Sequence, residues 1–269
     1  MNRQRPNVEG ATGCPRRQGF TLVELLVAIG IIALLAALLL PTLSRAKAQA
    51  RSTACKNHLS QIGRAMAMYL ADHNRYPPLY GDAGGPPSFE TWAQKLYRYA
   101  PLSCTNRSWH CPTYIRSGGL VELVPPSGWG GRLLNWTSYA YNAFGMGGMR
   151  GWPNLGLGQF APRSPGEQEV QAPSEMYTVA DARSYSYKAL SGPAGKPAMD
   201  PWLLPPGFIE CETEAPHSRG YNMLFGDDHV SLVKRNDYLN PPRTAHNWNR
   251  DNQPHPESWA PRNQWAVQN

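Results

Sequence analysis

At 269 residues the chain is long enough for one full domain with attachments or for two small ones. Its 25 glycines and 26 prolines, about a fifth of the residues, argue against an all-helical bundle, and a charged content of only 17% excludes a coiled coil or a highly charged disordered chain. The formal charge of +7 and the five cysteines, one left over if the others pair, both depend on whether the chain is processed.

The first 19 residues, MNRQRPNVEGATGCPRRQG, are polar and turn-forming, with Arg3, Arg5, Arg16 and Arg17 against a single Glu9, and read as a basic leader. Residues 20–40, FTLVELLVAIGIIALLAALLL, are apolar apart from Thr21, Glu24 and the small Gly30. As a helix they extend roughly 31 Å, the hydrocarbon thickness of a bilayer, and are expected to span a membrane. Leu43, Ala46, Ala50, Ala54, Leu59, Ile62, Met66 and Tyr69 or Leu70 then recur near the helical period. That pattern predicts that residues 41–76 continue the same helix as an amphipathic extension. Pro41 removes one backbone bond and is expected to bend it, while Pro77 and Pro78 stop it.

Residues 77–235 change to short aromatic or β-branched segments separated by glycine- and proline-rich runs, the pattern of a loop-rich α+β domain with a small antiparallel sheet. Residues 88–100, with Trp92, Leu96 and Tyr99, predict a short helix. Strands are expected at 136–144, 176–180, 221–225 and 229–233, the last two joined as a hairpin by Gly226, Asp227 and Asp228. Residues 236–269 hold five prolines and seven asparagines and read as an extended or disordered tail, unless Trp248, Trp259 and Trp265 anchor it.

The strongest local signal is Arg16-Arg17-Gln18-Gly19-Phe20-Thr21-Leu22-Val23-Glu24. A carboxylate inside a spanning segment costs about 3 kcal/mol on insertion scales and is usually paired or functional. Glu24 either sits near the headgroups, where that cost falls, or pairs with the positive amino terminus of a neighbouring copy cut after Gly19. A standard secretory signal cleaved near Ala48-Gln49-Ala50 competes poorly, because Arg45 and Lys47 separate that site from the apolar core. The twin-arginine resemblance of Arg16-Arg17 is faint.

The run GFTLVELLVAIGIIALLAALLLP resembles the class III signal of type IV pilins and type II secretion pseudopilins. The resemblance implies cleavage after Gly19 by a prepilin peptidase, N-methylation of Phe20, an assembly role for Glu24 and a helix-bending role for Pro41. It also implies a pilin-like fold and an inner-membrane, single-pass protein with its C-terminal domain in the periplasm. Basic residues flank the span on both sides, so charge counting alone barely orients it. More loosely, residues 54–78 resemble pseudopilin-G-like proteins of planctomycete and verrucomicrobial type, which carry a C-x-N-L-x-Q-I-G helix. Those proteins add a CP pair, a Tyr-Asn strand, a PS(E) segment ending in Asp and a terminal H-x9-DG motif. The corresponding positions here are Cys55, Cys111-Pro112, Tyr139 to Asn142, Pro173-Ser174-Glu175 with Asp181, and His217 with nine residues before Asp227. Asp228 stands where that motif ends in glycine.

Loss of the leader's four arginines and one glutamate leaves 22 basic and 18 acidic residues and a charge of +4. The remaining basic residues are scattered, so no specific nucleic-acid partner is expected; Arg45, Lys47 and Arg51 suit contact with membrane lipids. Cys55, Cys104, Cys111 and Cys211 remain. They allow disulfides, with Cys104–Cys111 and Cys55–Cys211 as natural pairs, or free thiols, or zinc together with His58, His110 or His217. Asp181, His217, Asp227 and Asp228 are weak metal candidates, calcium among them, against the plainer reading that Asp227 and Asp228 shape the hairpin turn and His217 hydrogen-bonds to it. No G-x-S-x-G elbow, H-E-x-x-H helix or phosphate-binding loop occurs, so no enzyme and no cofactor are expected. The expected function is a structural pseudopilin-like subunit whose partners are the peptidase, other pilin or pseudopilin subunits and an inner-membrane assembly platform. The alternative is a processed, membrane-anchored binding module that does not assemble.

Overall fold

A computed structural model of the chain describes residues 20–79, 81, 91–100, 110–113, 138–147, 155–158, 164–181, 184–185, 198–199, 217, 220–238 and 240–258. It divides into two compact units, Met1–Ala46 and Lys47–Asn269. Apart from Phe20 and Thr21, the described part of the first unit belongs to helix α1, Leu22–His73. Its leucines, isoleucines and valines from Leu22 to Leu43 are all exposed. Among the described residues α1 is the one helix long and apolar enough to cross a membrane. The helix continues through Pro41, and Thr42 Oγ1 donates to the carbonyl of Leu39 at 2.8 Å.

Within the second unit α1 buries Ser52, Cys55, Leu59, Ile62, Met66 and Tyr69, steps of three and four that keep one face turned to the domain. Burial of each large apolar side chain in that stripe contributes roughly 1.5–3 kcal/mol. The earlier half of the expected stripe differs: Leu43, Ala46 and Ala50 are exposed and Ala54 half-buried. At about 100° per residue those four lie on the far side of the helix from Cys55 and Leu59, and the five-residue step from Ala54 to Leu59 conceals the change of face. The helix ends at Asn74, which takes a left-handed φ of 55° and donates its N–H to Leu70 at 2.7 Å before the two prolines.

The short helix α2, Trp92–Lys95, starts on a capping box between Thr91 and Gln94 and runs into a 3-10 turn, Leu96–Arg98. It sets Trp92 on Tyr141, ring centroids 5.3 Å apart. Strands β1, Tyr139–Tyr141, β2, Tyr177–Asp181, β5, Gly220–Phe225, and β6, Val230–Lys234, form one antiparallel sheet in the order β1-β2-β5-β6. A separate two-residue pair joins β3, Ser184–Tyr185, to β4, Ala198–Met199. Every residue of β1, β2 and β5 is buried, so these three strands are covered on both faces, while the edge strand β6 is exposed or half-buried along its length. Tyr139, Tyr141, Val179 and Leu224 share a core with Leu59, Ile62 and Met66 of α1. Ala140, Ala180, Tyr221, Met223 and Phe225 point into a second core. A register shift between Tyr177 and Val179 places both on opposite faces despite their even spacing.

That second core is closed by the C-terminal segment, which differs from the extended tail expected for residues 236–269. Helices α3, Arg235–Tyr238, and α4, Pro241–Trp248, follow β6 directly. They bury Tyr238, Ala245 and Trp248 against Tyr177, Tyr221 and Phe225. The physical reason is the apolar outer face of β5, which has to be covered. Asn142 locks the arrangement, donating from Nδ2 to the carbonyls of Tyr177 at 2.8 Å and Trp248 at 2.9 Å. Trp259 and Trp265 lie outside the described residues.

The β5–β6 hairpin forms as expected around Gly226, Asp227 and Asp228. Asp228, in the place of the motif's glycine, has a φ of 69°, a left-handed conformation that costs an L-residue energy and that aspartate tolerates better than most. Burial also raises its carboxyl pKa, with the charges of Asp227 and Glu167 adding to the shift. A raised folded-state value means that stability is greatest below the ordinary carboxylate pKa and is lost as pH rises through the raised one, so the ionised side chain is a cost at neutral pH. Asp228→Gly therefore stabilises the domain by about 0.5–1 kcal/mol after the extra unfolded-state entropy of glycine, measured by thermal unfolding at neutral pH. A loss of stability of that size would contradict the turn assignment.

Candidate functional site

Two places in the chain carry candidate functional residues, one in each unit. At the start of α1, Thr21 precedes the first helical residue and Glu24 lies three residues on, the spacing of a capping box. Glu24 Oε2 accepts from the Thr21 N–H at 2.9 Å and from Thr21 Oγ1 at 2.7 Å, and the Glu24 N–H donates back to Thr21 Oγ1 at 3.2 Å. Both side-chain bonds fall on one carboxylate oxygen. Phe20 is exposed beside this cap, Pro41 lies inside α1, and Gly19 lies outside the described residues.

In the second unit, four residues far apart in sequence meet in the interior. Cys55 comes from α1, Cys111 directly precedes the helical residues 112–113, Asp181 ends β2 and His217 forms a bridge with Gly220 at the start of β5. Their Sγ, carboxylate and ring nitrogen atoms all lie within 4.8 Å of one another, and all four residues are buried. His217 Nε2 is 3.3 Å from Cys111 Sγ and 3.3 Å from Asp181 Oδ2, while Nδ1 is 3.4 Å from Thr113 Oγ1. Asp181 Oδ2 accepts from the Asn222 N–H at 2.9 Å. Asp181 Oδ1 is buried with no hydrogen-bond partner among the described residues. The Cys111 N–H donates to Ser138 Oγ.

Electrostatics separate the two thiols. The hydrogen bond from Cys55 holds the Cys111 thiol below its usual range against the opposing effect of burial, with help from His217. The same bond, with burial, pushes Cys55 up. Burial pulls His217 down, but hydrogen bonds to Asp181 and Cys111 outweigh it and raise the imidazole to about 9. Both shifts run toward a Cys111 thiolate facing a protonated His217 at neutral pH.

The structure sorts the expected site residues accordingly. Asp181 and His217 come together, but with two cysteines rather than with Asp227 and Asp228. His217 does not bond to the hairpin turn; its ring meets Cys111, Thr113 and Asp181. Asp227 instead accepts from the His229 N–H at 3.3 Å and bonds the His229 ring. Cys55 and Cys111 are free thiols and neighbours of each other, which is one of the states the sequence left open beside the Cys55–Cys211 and Cys104–Cys111 disulfides. Cys104 and Cys211 lie outside the described residues. The tight turns and the β2–β5 register bring these donors together, which spacing along the chain does not reveal.

Comparison with known proteins bears on both units. Residues 14–40 match the family described as the prokaryotic N-terminal methylation motif, and residues 44–136 match one described as a protein of unknown function (DUF1559). The chain is 30% identical over 115 residues to a type II secretion system core protein G of Aeromonas hydrophila, covering 43% of this chain and 69% of that protein. It is 31% identical over 115 residues to the core protein G of Klebsiella pneumoniae, covering 71% of it. It is 44% identical over 59 residues to the type IV wide pilus major component PilA4 of Thermus thermophilus, where it spans 45% of the relative's length. No solved structure matches. By name these relatives are components of pili and secretion systems and not enzymes, and α1 of this chain is long and apolar enough to serve as a single membrane anchor. With an N-terminal methylation motif, a long apolar helix and a following antiparallel α+β domain, the chain belongs to the type IV pilin and type II secretion pseudopilin family, of the protein-G-like kind.

Proposed function

We propose that the chain is cut after Gly19 and N-methylated on Phe20 by a prepilin peptidase, and that it then assembles with other pilin or pseudopilin subunits on an inner-membrane platform, its second unit on the periplasmic side. The observation that carries this reading is the start of α1: a capped helix whose apolar side chains are exposed from Leu22 to Leu43, with one carboxylate among them. An exposed apolar surface of this kind needs lipid or partner helices. Once Phe20 is the first residue, its ammonium is the natural partner for Glu24 of a neighbouring chain. Glu24 Oε1, which takes part in no hydrogen bond among the described residues, is free to accept from it. Pro41 is the residue at which the helix can bend to follow its neighbours. Arg45, Lys47 and Arg51 suit the lipid headgroups at the membrane exit.

The test is crosslinking in native membranes with a photoreactive residue at Leu34. A ladder of multimers is expected while the secretion or pilus system is working. Monomers alone, under conditions where that system functions, would instead identify an unassembled membrane-anchored module.

A further inference from the structure

We propose that Cys55, Cys111, His217 and Asp181 bind one zinc ion, which fastens α1 to the sheet. Two thiols, an imidazole and a carboxylate are the donor types zinc takes in closed four-coordinate sites. Zinc bond lengths of about 2.0–2.3 Å set tetrahedron edges of roughly 3.3–3.8 Å. The two 3.3 Å separations that His217 Nε2 makes with Cys111 and Asp181 sit at the short end of that range, and the whole set lies within 4.8 Å. Small side-chain adjustments are enough to close it around an ion.

The second observation is Asp181 itself. It is 1% exposed, and its Oδ1 is buried with no hydrogen-bond partner among the described residues while Oδ2 is held by the Asn222 N–H. A buried carboxylate oxygen without a donor is costly, and a cation beside it removes the cost. Partners behind the donors fit the same role. Thr113 Oγ1 beside His217 Nδ1 can fix the tautomer that leaves Nε2 for the ion, and Ser138 Oγ holds the backbone of Cys111. Thiolates exclude calcium and magnesium, which take oxygen ligands, so the calcium expected at the acidic residues does not suit this set. On binding, Cys55 gives up its thiol proton and His217 the proton on Nε2, both released to solvent. No ligand position is left for water or substrate, so the role is structural and the ion links α1, the Cys111 segment, β2 and the start of β5.

The test uses the full-length chain, extracted from membranes in detergent by a tag without histidines and with no chelator. Elemental mass spectrometry is expected to find about one zinc per chain, and Cys111→Ser and Asp181→Asn to reduce it at least fivefold. Cobalt substitution is expected to give the visible bands of a tetrahedral thiolate site, and chelation to lower Tm by roughly 10 °C in the wild type but not in Cys111→Ser. Non-reducing peptide mapping of the wild type needs no variant to fold: a Cys55–Cys111 disulfide there overturns the proposal. So does a wild-type chain with less than a tenth of an equivalent of zinc, or zinc that all the variants retain.

Discussion

Glu24→Ala is expected to lower the yield of crosslinked multimers at least tenfold while leaving removal of the leader intact. The effect comes from two losses. The carboxylate is the one acidic group between Phe20 and Leu40, and in lipid it is worth keeping only if a cation offsets its insertion cost of about 3 kcal/mol. A pairing worth only 1.4 kcal/mol is already a factor of ten in an equilibrium constant. The substitution also removes the reciprocal bonds with Thr21, which cap α1 and contribute roughly 1 kcal/mol to the order of the residues around Phe20. Glu24→Gln separates the terms, since it can keep the bond from the Thr21 N–H but loses the charge. It is expected to cap normally and still assemble poorly. Wild-type multimers from Glu24→Ala, with cleavage unchanged, would show that the carboxylate serves the helix end and not the neighbour.

Trp248→Ala is expected to destabilise the second unit by about 3–5 kcal/mol, the range for deleting a large buried aromatic side chain, and to lower Tm by roughly 10 °C or more. Trp248 is fully buried and meets Tyr177 and Tyr238 edge to face at centroid distances of 5.6 and 5.4 Å. Its carbonyl also accepts one of the two bonds from Asn142 Nδ2. Loss of the indole opens a cavity between α4 and the outer face of β5, and α3 and α4 should become accessible to proteases before the rest. Trp248→Phe, which keeps part of the volume, is expected to cost less than half as much. A change below about 1 kcal/mol for Trp248→Ala would mean that the C-terminal helices contribute little to the core.

The readable parts of this molecule are those in which neighbours in sequence are neighbours in space. The apolar run from Phe20 to Leu40, the proline stop after α1 and the Gly226-Asp227-Asp228 turn each declare themselves within a few residues. The C-terminal helices were harder to read because prolines and asparagines dominate their composition. Yet Pro241 and Pro242 stand in the first turn of α4, where proline helps a helix begin, and Ala245 and Trp248 lie three apart on one face. Tyr221, Met223 and Phe225 supplied the missing clue, because an apolar strand face implies a cover. Cys55, Cys111, Asp181 and His217 are a different case. Taken singly, each belongs to a weak motif; together they form one site, because β2 and β5 pair in a register that sets Asp181 against the N–H of Asn222 and brings His217 alongside. Periodicity along the chain carries no information about a register between residues 41 apart, as Asp181 and Asn222 show.

Mass spectrometry of the protein taken from its native membrane fraction tests the central claim most directly. The account predicts a chain of 250 residues, the 269 less a leader of 19, beginning at Phe20 and carrying one methyl group on its amino nitrogen. A membrane-bound chain that still begins at Met1, or one that begins at Arg51 after secretory-type cleavage, would contradict it.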